Sequence, residues 1–329
     1  MNRLRIIYRR MAYKCPQIRR ILSELRFIDK FKIHQHQRKM KKFTVFDYIE
    51  LAQPAPLITG QCFAQNTFYG NHVAINNFLG KRESDNIPGI IEHGLYLGEY
   101  FLEEDDLINS YRRYYTFGDY RKQILISNGI QEKNIISVGP YILHVPSDEK
   151  EIARIRNEFG KILLYFPSHS TENVDIVNNR NDILEHIGQI KLDNRFDSVF
   201  VCMYYKDILS RKYKQYLELG WKVVTAGHML DKKFLSRLKI LIESSSMTVS
   251  DKVGTHLGYC LALNKPHYLI PATYCVVYKN FEEKKVKKFV ARDESSKKEE
   301  ELFHHLFGTY SETITPEQFE IVHKYWGPF

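Results

Sequence analysis

The sequence predicts an α/β protein: two Rossmann-like domains facing across a cleft, with a basic helical arm before them and helices after them. Three observations carry this. Residues 149–270 alternate short apolar runs with helical patterns, the signature of a parallel sheet with right-handed crossovers. Polar, Gly- or Ser-containing turns stand directly behind the apolar runs, where open α/β sheets hold ligands. The third is charge. Residues 1–42 hold fourteen Lys or Arg against Glu24 and Asp29, so that segment is +12 and the remaining chain is −3.

The chain has 329 residues, enough for two such domains. Hydrophobic content of 43% with 26% charge suits a soluble globular protein. No apolar run approaches the ~20 residues of a membrane-spanning helix. The basic N-terminus leads into no uninterrupted apolar core, which predicts no cleaved leader. Five scattered cysteines without a CxxC pair argue against a disulfide scaffold or zinc site and for a reducing cytoplasm.

The arm, 1–42, interleaves its cations with apolar residues such as Leu4, Ile7, Ile21 and Leu25. An amphipathic basic helix of this kind lies on an anionic membrane surface. Alternatively it packs on the body as a solvated basic helix. A nucleic-acid partner is not expected, because no recognised binding motif accompanies the charge.

The first domain, 43–145, is expected to carry strands at 56–60, 71–76, 88–91, 114–117 and 134–138. A helix at 120–127 stops at Asn128-Gly129. The second, 146–278, opens with a helix at 149–159 stopped by Gly160. Strands follow at 161–166 (KILLYF), 198–203, 221–225, 247–250 and 267–270. They alternate with helices at 182–190, 206–219, 231–244 and 257–263. The last segment, 279–329, is charged at first and ends in helices at 299–308 and 315–325, which cross back to the first domain. Pro316 after Thr315 marks the start of the last one.

Four clusters at predicted strand ends are candidate site residues. Glu92-His93-Gly94 follows the strand at 88–91. Glu92 or His93 can take a proton from an acceptor hydroxyl, His is best poised for that near neutral pH, and Gly94 permits close backbone approach. Ser168-His169-Ser170-Thr171 follows KILLYF, and small hydroxyls with exposed amides there can hold phosphate; alternatively they cap the next helix. Gly227-His228 follows the strand at 221–225, as a contact to base, ribose or phosphate, or as a turn leading to Asp231. Gly254-Thr255-His256 starts a helix whose unpaired N–H groups point into the crevice, a ready phosphate site, or is an ordinary strand–helix turn. Asp119, at the end of the strand at 114–117, is a weaker catalytic candidate or simply an N-cap. The acidic run Glu103–Asp106 reads as a solvated loop rather than a cation site. The chain contains no Walker phosphate loop, no Rossmann Gly fingerprint, no nucleophile elbow and no HExxH motif.

Taken together, the His93-Gly94 pair, the strand ending in Pro167-Ser168, and Ser250-Asp251-Lys252-Val253-Gly254-Thr255 followed by a helix and Lys265-Pro266 resemble the bacterial capsule and lipopolysaccharide glycosyltransferases of GT-B fold. The resemblance covers roughly 75–325. A more distant likeness is to the glycerophosphotransferases of teichoic-acid synthesis. The chain departs from those by Gly227-His228 in place of His-Pro, and by its Asp-Lys-Val-Gly-Thr run in place of Tyr-Ser-Ser. Both departures weigh against a glycerol phosphate cargo. The resemblance implies transfer of a sugar from a nucleotide-sugar donor to a glycan or lipid-linked acceptor, with no metal or other cofactor. It also implies a peripheral position at the cytoplasmic face of the membrane. A nucleotide-sugar epimerase or a glycerophosphotransferase on the same fold, and a non-catalytic polysaccharide-assembly binding protein, are the rival readings.

Overall fold

Parallel strands build the two larger sheets. The computed structural model describes residues 15, 27–58, 60–61, 63–99, 113–169, 174–278 and 294–329. Strands β1 (Ile90–Ile91), β2 (Tyr114–Thr116) and β3 (Ile135–Ser137) form the first sheet in that order. In the second, β4 (Ile162–Phe166), β6 (Ser198–Cys202), β7 (Lys222–Val224), β8 (Met247–Ser250) and β9 (His267–Leu269) run in the order β7-β6-β4-β8-β9, all parallel. Strand β5 (Val174–Asn178) leaves that sheet and pairs antiparallel with β10 (Tyr274–Tyr278).

The helices are α1 (Phe27–Met40), α2 (Tyr48–Leu51), α3 (Asn71–Phe78), α4 (Asp119–Ser127), α5 (Glu149–Phe159), α6 (Arg180–Asp193), α7 (Tyr205–Leu209), α8 (Lys214–Glu218), α9 (Phe234–Ser244), α10 (Thr255–Ala262), α11 (Lys297–Phe307) and α12 (Pro316–Trp326). Their ends follow local chemistry. The Asp148 side chain accepts from the Glu151 amide at 3.1 Å and starts α5, and Gly160 ends it. Thr315 and Gln318 form a reciprocal capping box behind Pro316 at the start of α12.

Strand β4 is the middle of its sheet, and all five of its residues are buried, as a strand covered on both faces requires. Its side chains alternate between two cores. Ile162, Leu164 and Phe166 join one cluster; Leu163 and Tyr165 join the other. The first cluster also takes Ile91, Tyr115 and Phe117 from the first sheet, so one hydrophobic core runs between the two sheets.

The C-terminal helix ties this arrangement together. Helix α12 packs on α4 and α10. Trp326 is fully buried, and its indole N–H donates to the Thr255 carbonyl at 3.1 Å. Gly258, in the middle of α10, leaves room for that ring: a Cβ there would overlap the indole. Gly258→Ala should therefore cost about 1–3 kcal/mol in urea unfolding, because a fixed buried indole cannot yield. The ordinary helix gain of Ala over Gly, about 1 kcal/mol, offsets only part of this. A more stable variant would show that the ring is not held there.

Several expectations need correction. Residues 71–76 are not a strand but the body of α3: Gly70, left-handed at φ 75°, begins the helix, and His72 to Ile75 are all buried. Residues 56–58 and 60 take no regular structure. The single helix expected at 206–219 is broken into α7 and α8. The Ser210 hydroxyl bonds back to the carbonyls of Lys206 and Asp207, and Arg211 turns left-handed at φ 59°. Of the arm, residues 1–14 and 16–26 lie outside the described residues, including Leu4, Ile7, Ile21 and Leu25. The described end, α1, buries Ile33 and Met40 and leaves Phe31 exposed.

Candidate functional site

Loops at the carboxyl ends of strands from both sheets converge on one cavity of about 430 Å³. On the first-sheet side, the segment after β1 supplies His93, Gly94, Leu95 and Tyr96, the turn before α3 supplies Tyr69, and the first residue of α3 supplies Asn71. On the second-sheet side, the loop after β4 supplies Pro167, Ser168 and His169. The loop after β6 supplies Tyr204, and the loop after β8 supplies Lys252 to His256. This is where parallel α/β sheets hold ligands.

The two sides meet at the start of α10. Thr255 Oγ1 accepts from the Leu95 amide at 2.9 Å. A Cβ on Gly94 would stand 3.2 Å from that same oxygen, so a residue without a side chain lets the loops meet. Gly94 thus serves contact between the sheets, and the acceptor capacity of Thr255 is partly used.

Helix α10 begins at this contact. The backbone N–H groups of Gly254, Thr255 and His256 have no partner among the described residues. They carry the positive end of the helix dipole at the cavity wall. Lys252 sits beside them, its ammonium 4.6 Å from the centre of the Tyr274 ring. The His256 ring stacks on Phe166 at 4.7 Å, and its Nε2 is buried without a partner among the described residues. Burial, with His169 adding, pushes this imidazole down to about 3, so it is neutral.

Ser168 belongs to a closed polar network. Its amide and hydroxyl donate to Asp251 at 2.6 and 2.7 Å, and Asn178 bonds both residues. The Ser168 hydroxyl proton is therefore committed to Asp251, which lashes the loop after β4 to the loop after β8. His169 is exposed and lies against Tyr204, ring centres 4.2 Å apart. Ser170 and Thr171 lie outside the described residues.

His93 faces the cavity with the Tyr96 hydroxyl 2.8 Å from its Nε2. Burial pushes the imidazole down to about 4 against a smaller upward pull from Glu92. This corrects the expectation of a histidine poised near neutrality. Glu92 is a correction too. It is buried, is absent from the cavity wall, and has both carboxylate oxygens engaged. Arg121 Nη2 stands 2.6 Å from Oε1 and Nε 3.2 Å from Oε2; the Thr116 hydroxyl also donates. A carboxylate so engaged by Arg121 and Thr116 is placed to hold structure. Asp119 is exposed at the start of α4 and does not line the cavity.

Gly227 and His228 also lie off the cavity wall. Gly227 rests over Arg237, and His228 Nδ1 accepts from the Leu230 amide at 3.1 Å while its ring packs on Tyr205. They form the turn into Asp231, whose carboxylate accepts from the Lys233 amide and pairs with Arg237 at 2.8 Å. Among the described residues no three His, Cys, Asp or Glu side chains group as metal ligands would.

No family model matches the chain, and no curated protein matches it in sequence. Solved structures align with it weakly. The UDP-GlcNAc 2-epimerase of Neisseria meningitidis bound to UDP-GlcNAc is 14% identical over 50% of this chain and 46% of that one, with a TM-score of 0.34. The wall teichoic acid polymerase TagF is 12% identical over 57% and 50%, at 0.36. Anabaena HepE in complex with UDP is 12% identical over 78% and 72%, at 0.34. This chain spans about half the length of the first two. Likeness at this level transfers neither residues nor activity.

Sequence reasoning missed Tyr69, Asn71, Tyr96, Tyr204 and Lys252 as cavity residues. Tyr96 and Lys252 sit within three residues of clusters it singled out. Asn71 was hidden by the misread strand, although Gly70-Asn71 before an apolar stretch is a helix-start signal.

Proposed function

We propose that the chain is a GT-B glycosyltransferase that moves a sugar from a nucleotide-sugar donor to a glycan or lipid-linked acceptor hydroxyl, without a bound metal. The observation that supports this most is the cavity itself: strand ends from two parallel sheets, unpaired amides at the start of α10 and Lys252 meet in one space. Its volume suits a ligand of nucleotide size. In this reading residues 146–278 carry the donor and residues 43–145 present the acceptor. The α10 amides and Lys252 take the charge that develops on the departing diphosphate, as a fixed set of donors does without reorganisation. His93, neutral because it is buried, stands across the cavity as base, with Tyr96 on its Nε2. The cationic segment 1–42 holds the enzyme at the anionic inner face of the membrane, where lipid-linked acceptors lie. Among the described residues no helix is long and apolar enough to cross a membrane.

Thermal melts against UDP, GDP, CDP, CMP and dTDP test the donor site, since a ligand of the folded state raises the melting temperature by mass action. One of these nucleotides should raise it. Lys252→Ala should then weaken that nucleotide by about tenfold to a hundredfold, the worth of about 1.5–3 kcal/mol for a bond to a charged group. Absence of any shift in the unaltered protein overturns the reading. Conversion of a nucleotide sugar in the absence of acceptor would replace it with the epimerase reading.

A further inference from the structure

The broken helix pair on the second domain leaves an apolar, cationic face that the cavity chemistry does not use. Helix α2 packs on α7, with the rings of Tyr48 and Tyr213 at 5.2 Å. Between them runs an open groove of about 300 Å³, lined by Ile49, Leu209, Arg211, Tyr213 and Lys214 among others. Ile49 is 40% exposed and Leu209 46%. Leu217, three residues after Lys214 and on the same face of α8, is 44% exposed. Large apolar side chains held this far into water side by side mark a contact surface.

The backbone pays to build it. Arg211 occupies the left-handed region at φ 59°, where a Gly or Asn would sit with less strain. That conformation makes the tight turn between α7 and α8 and puts Arg211 on the groove wall beside Leu209. The cations Lys206, Arg211, Lys212 and Lys214 cluster on this turn, with Lys212 paired to Asp207. Glu50 and Glu218 are exposed at the rim.

Helix α1 approaches α7 around His228. His228 lies close enough to His36 on α1 and to Lys206 on α7 for their charges to act on it. Lys233 feels Lys41 and Lys232 in the same way. Helix α1 and the residues after it carry Lys32, Arg38, Lys39, Lys41 and Lys42, with Phe31 58% exposed. Apolar side chains set among cations match a bilayer surface bearing anionic headgroups: the former enter the headgroup boundary, the latter stay with phosphate.

We infer that the α2–α7–α8 face is a contact with an anionic lipid bilayer, made by the folded body in addition to the basic arm. Tyr204, directly before α7, lines the cavity, so docking on this face brings the cavity within a few residues of the lipid surface. The inference rests on the membrane attachment in the proposed function but assigns it to different residues.

Co-sedimentation of the full chain with phosphatidylcholine vesicles, with and without phosphatidylglycerol, tests it. Arg211→Asn with Lys214→Gln removes two cations while keeping a residue that tolerates the left-handed turn. It should weaken binding to the anionic vesicles about thirtyfold, since each cation near the surface contributes about 1 kcal/mol and about 1.4 kcal/mol is tenfold. Leu209→Asp should remove the part of the binding that survives high salt. All three positions are exposed, so the melting temperature should not fall. Vesicle affinity within twofold of the unaltered protein in both variants overturns the inference. So does equal binding to vesicles without phosphatidylglycerol, or a loss confined to duplex DNA. A parallel variant, Lys41→Gln with Lys42→Gln, reports on the arm. If it alone loses binding, the arm reading stands and the body contact falls; if only the groove variants lose binding, the reverse holds.

Discussion

Arg121→Met is expected to destabilise the protein by about 3–5 kcal/mol, the usual cost of removing one partner from a buried ion pair. Arg121 is fully buried and Glu92 nearly so. The pair is bidentate, and Arg121 also reaches the Tyr96 carbonyl at 3.4 Å and lies over the Tyr96 ring at 5.4 Å. Without the guanidinium, the Glu92 carboxylate keeps only the Thr116 hydroxyl inside a core that excludes water. The cost is thus that of a stranded charge, not of a lost attraction. The double variant Glu92→Met with Arg121→Met should recover most of the stability, because two apolar groups of similar volume need no partner. Urea unfolding of both variants measures this. A single variant that loses under about 1 kcal/mol would mean that water reaches Glu92. The same pair explains why Glu92→Gln should lower activity only as far as it loosens the His93–Tyr96 segment: nothing in its surroundings lets it meet a substrate.

That pair also marks the limit of what could be read in the sequence. Glu92 and Arg121 are 29 residues apart; the pairing of β1 with β2, together with the fold of α4 back beside them, brings them together. Read locally, Glu92 is a candidate base beside His93-Gly94, and Arg121 is an ordinary charged residue near a helix start. By contrast, the second sheet was legible strand by strand. KILLYF is a continuous apolar run because β4 is covered on both faces, and the stops at Gly160 and Gly220 are local chemistry. The helix at 149–159 was placed at its observed bounds for the same reason. Where burial overrode local pattern, the reading failed. Val73, Ala74 and Ile75 look like a strand in a short window, yet they lie inside α3. The β5–β10 ribbon was not seen, because its two strands are 96 residues apart even at their nearest paired ends, Asn178 and Tyr274. The candidate clusters at 168–169 and 254–256 do reach one cavity, since both follow parallel strands that are neighbours in the sheet. Gly227-His228 follows β7 at the sheet's edge and turns aside.

His93→Ala is expected to lower turnover by about 10²–10⁴-fold, the usual worth of general-base assistance, with nucleotide affinity nearly unchanged. The pH dependence separates this from a structural role. In the free protein the imidazole titrates at about 4, because burial disfavours its charged form. The acid limb of kcat/KM, which reports the free enzyme, should therefore lie near 4 and not near the 6.5 of an exposed histidine. A bound diphosphate brings negative charge into the cavity and favours the imidazolium. The acid limb of kcat should accordingly lie at higher pH than that of kcat/KM. The same burial sets a stability trend. The unfolded chain takes up the proton near 6.5 and the folded one only near 4, so this histidine's contribution is complete above about 6.5 and is lost as the pH falls towards 4. Tyr96→Phe removes a hydroxyl 2.8 Å from Nε2. For Nδ1 to be free to take a proton, Nε2–H donates to that hydroxyl, a bond stronger from the imidazolium, so its loss should move the acid limb of kcat/KM downward while the fold is kept. If neither variant lowers turnover by about tenfold while nucleotide still binds, the base lies elsewhere. His256 is then another imidazole on the cavity wall, held at about 3, with its Nε2 buried and without a partner among the described residues.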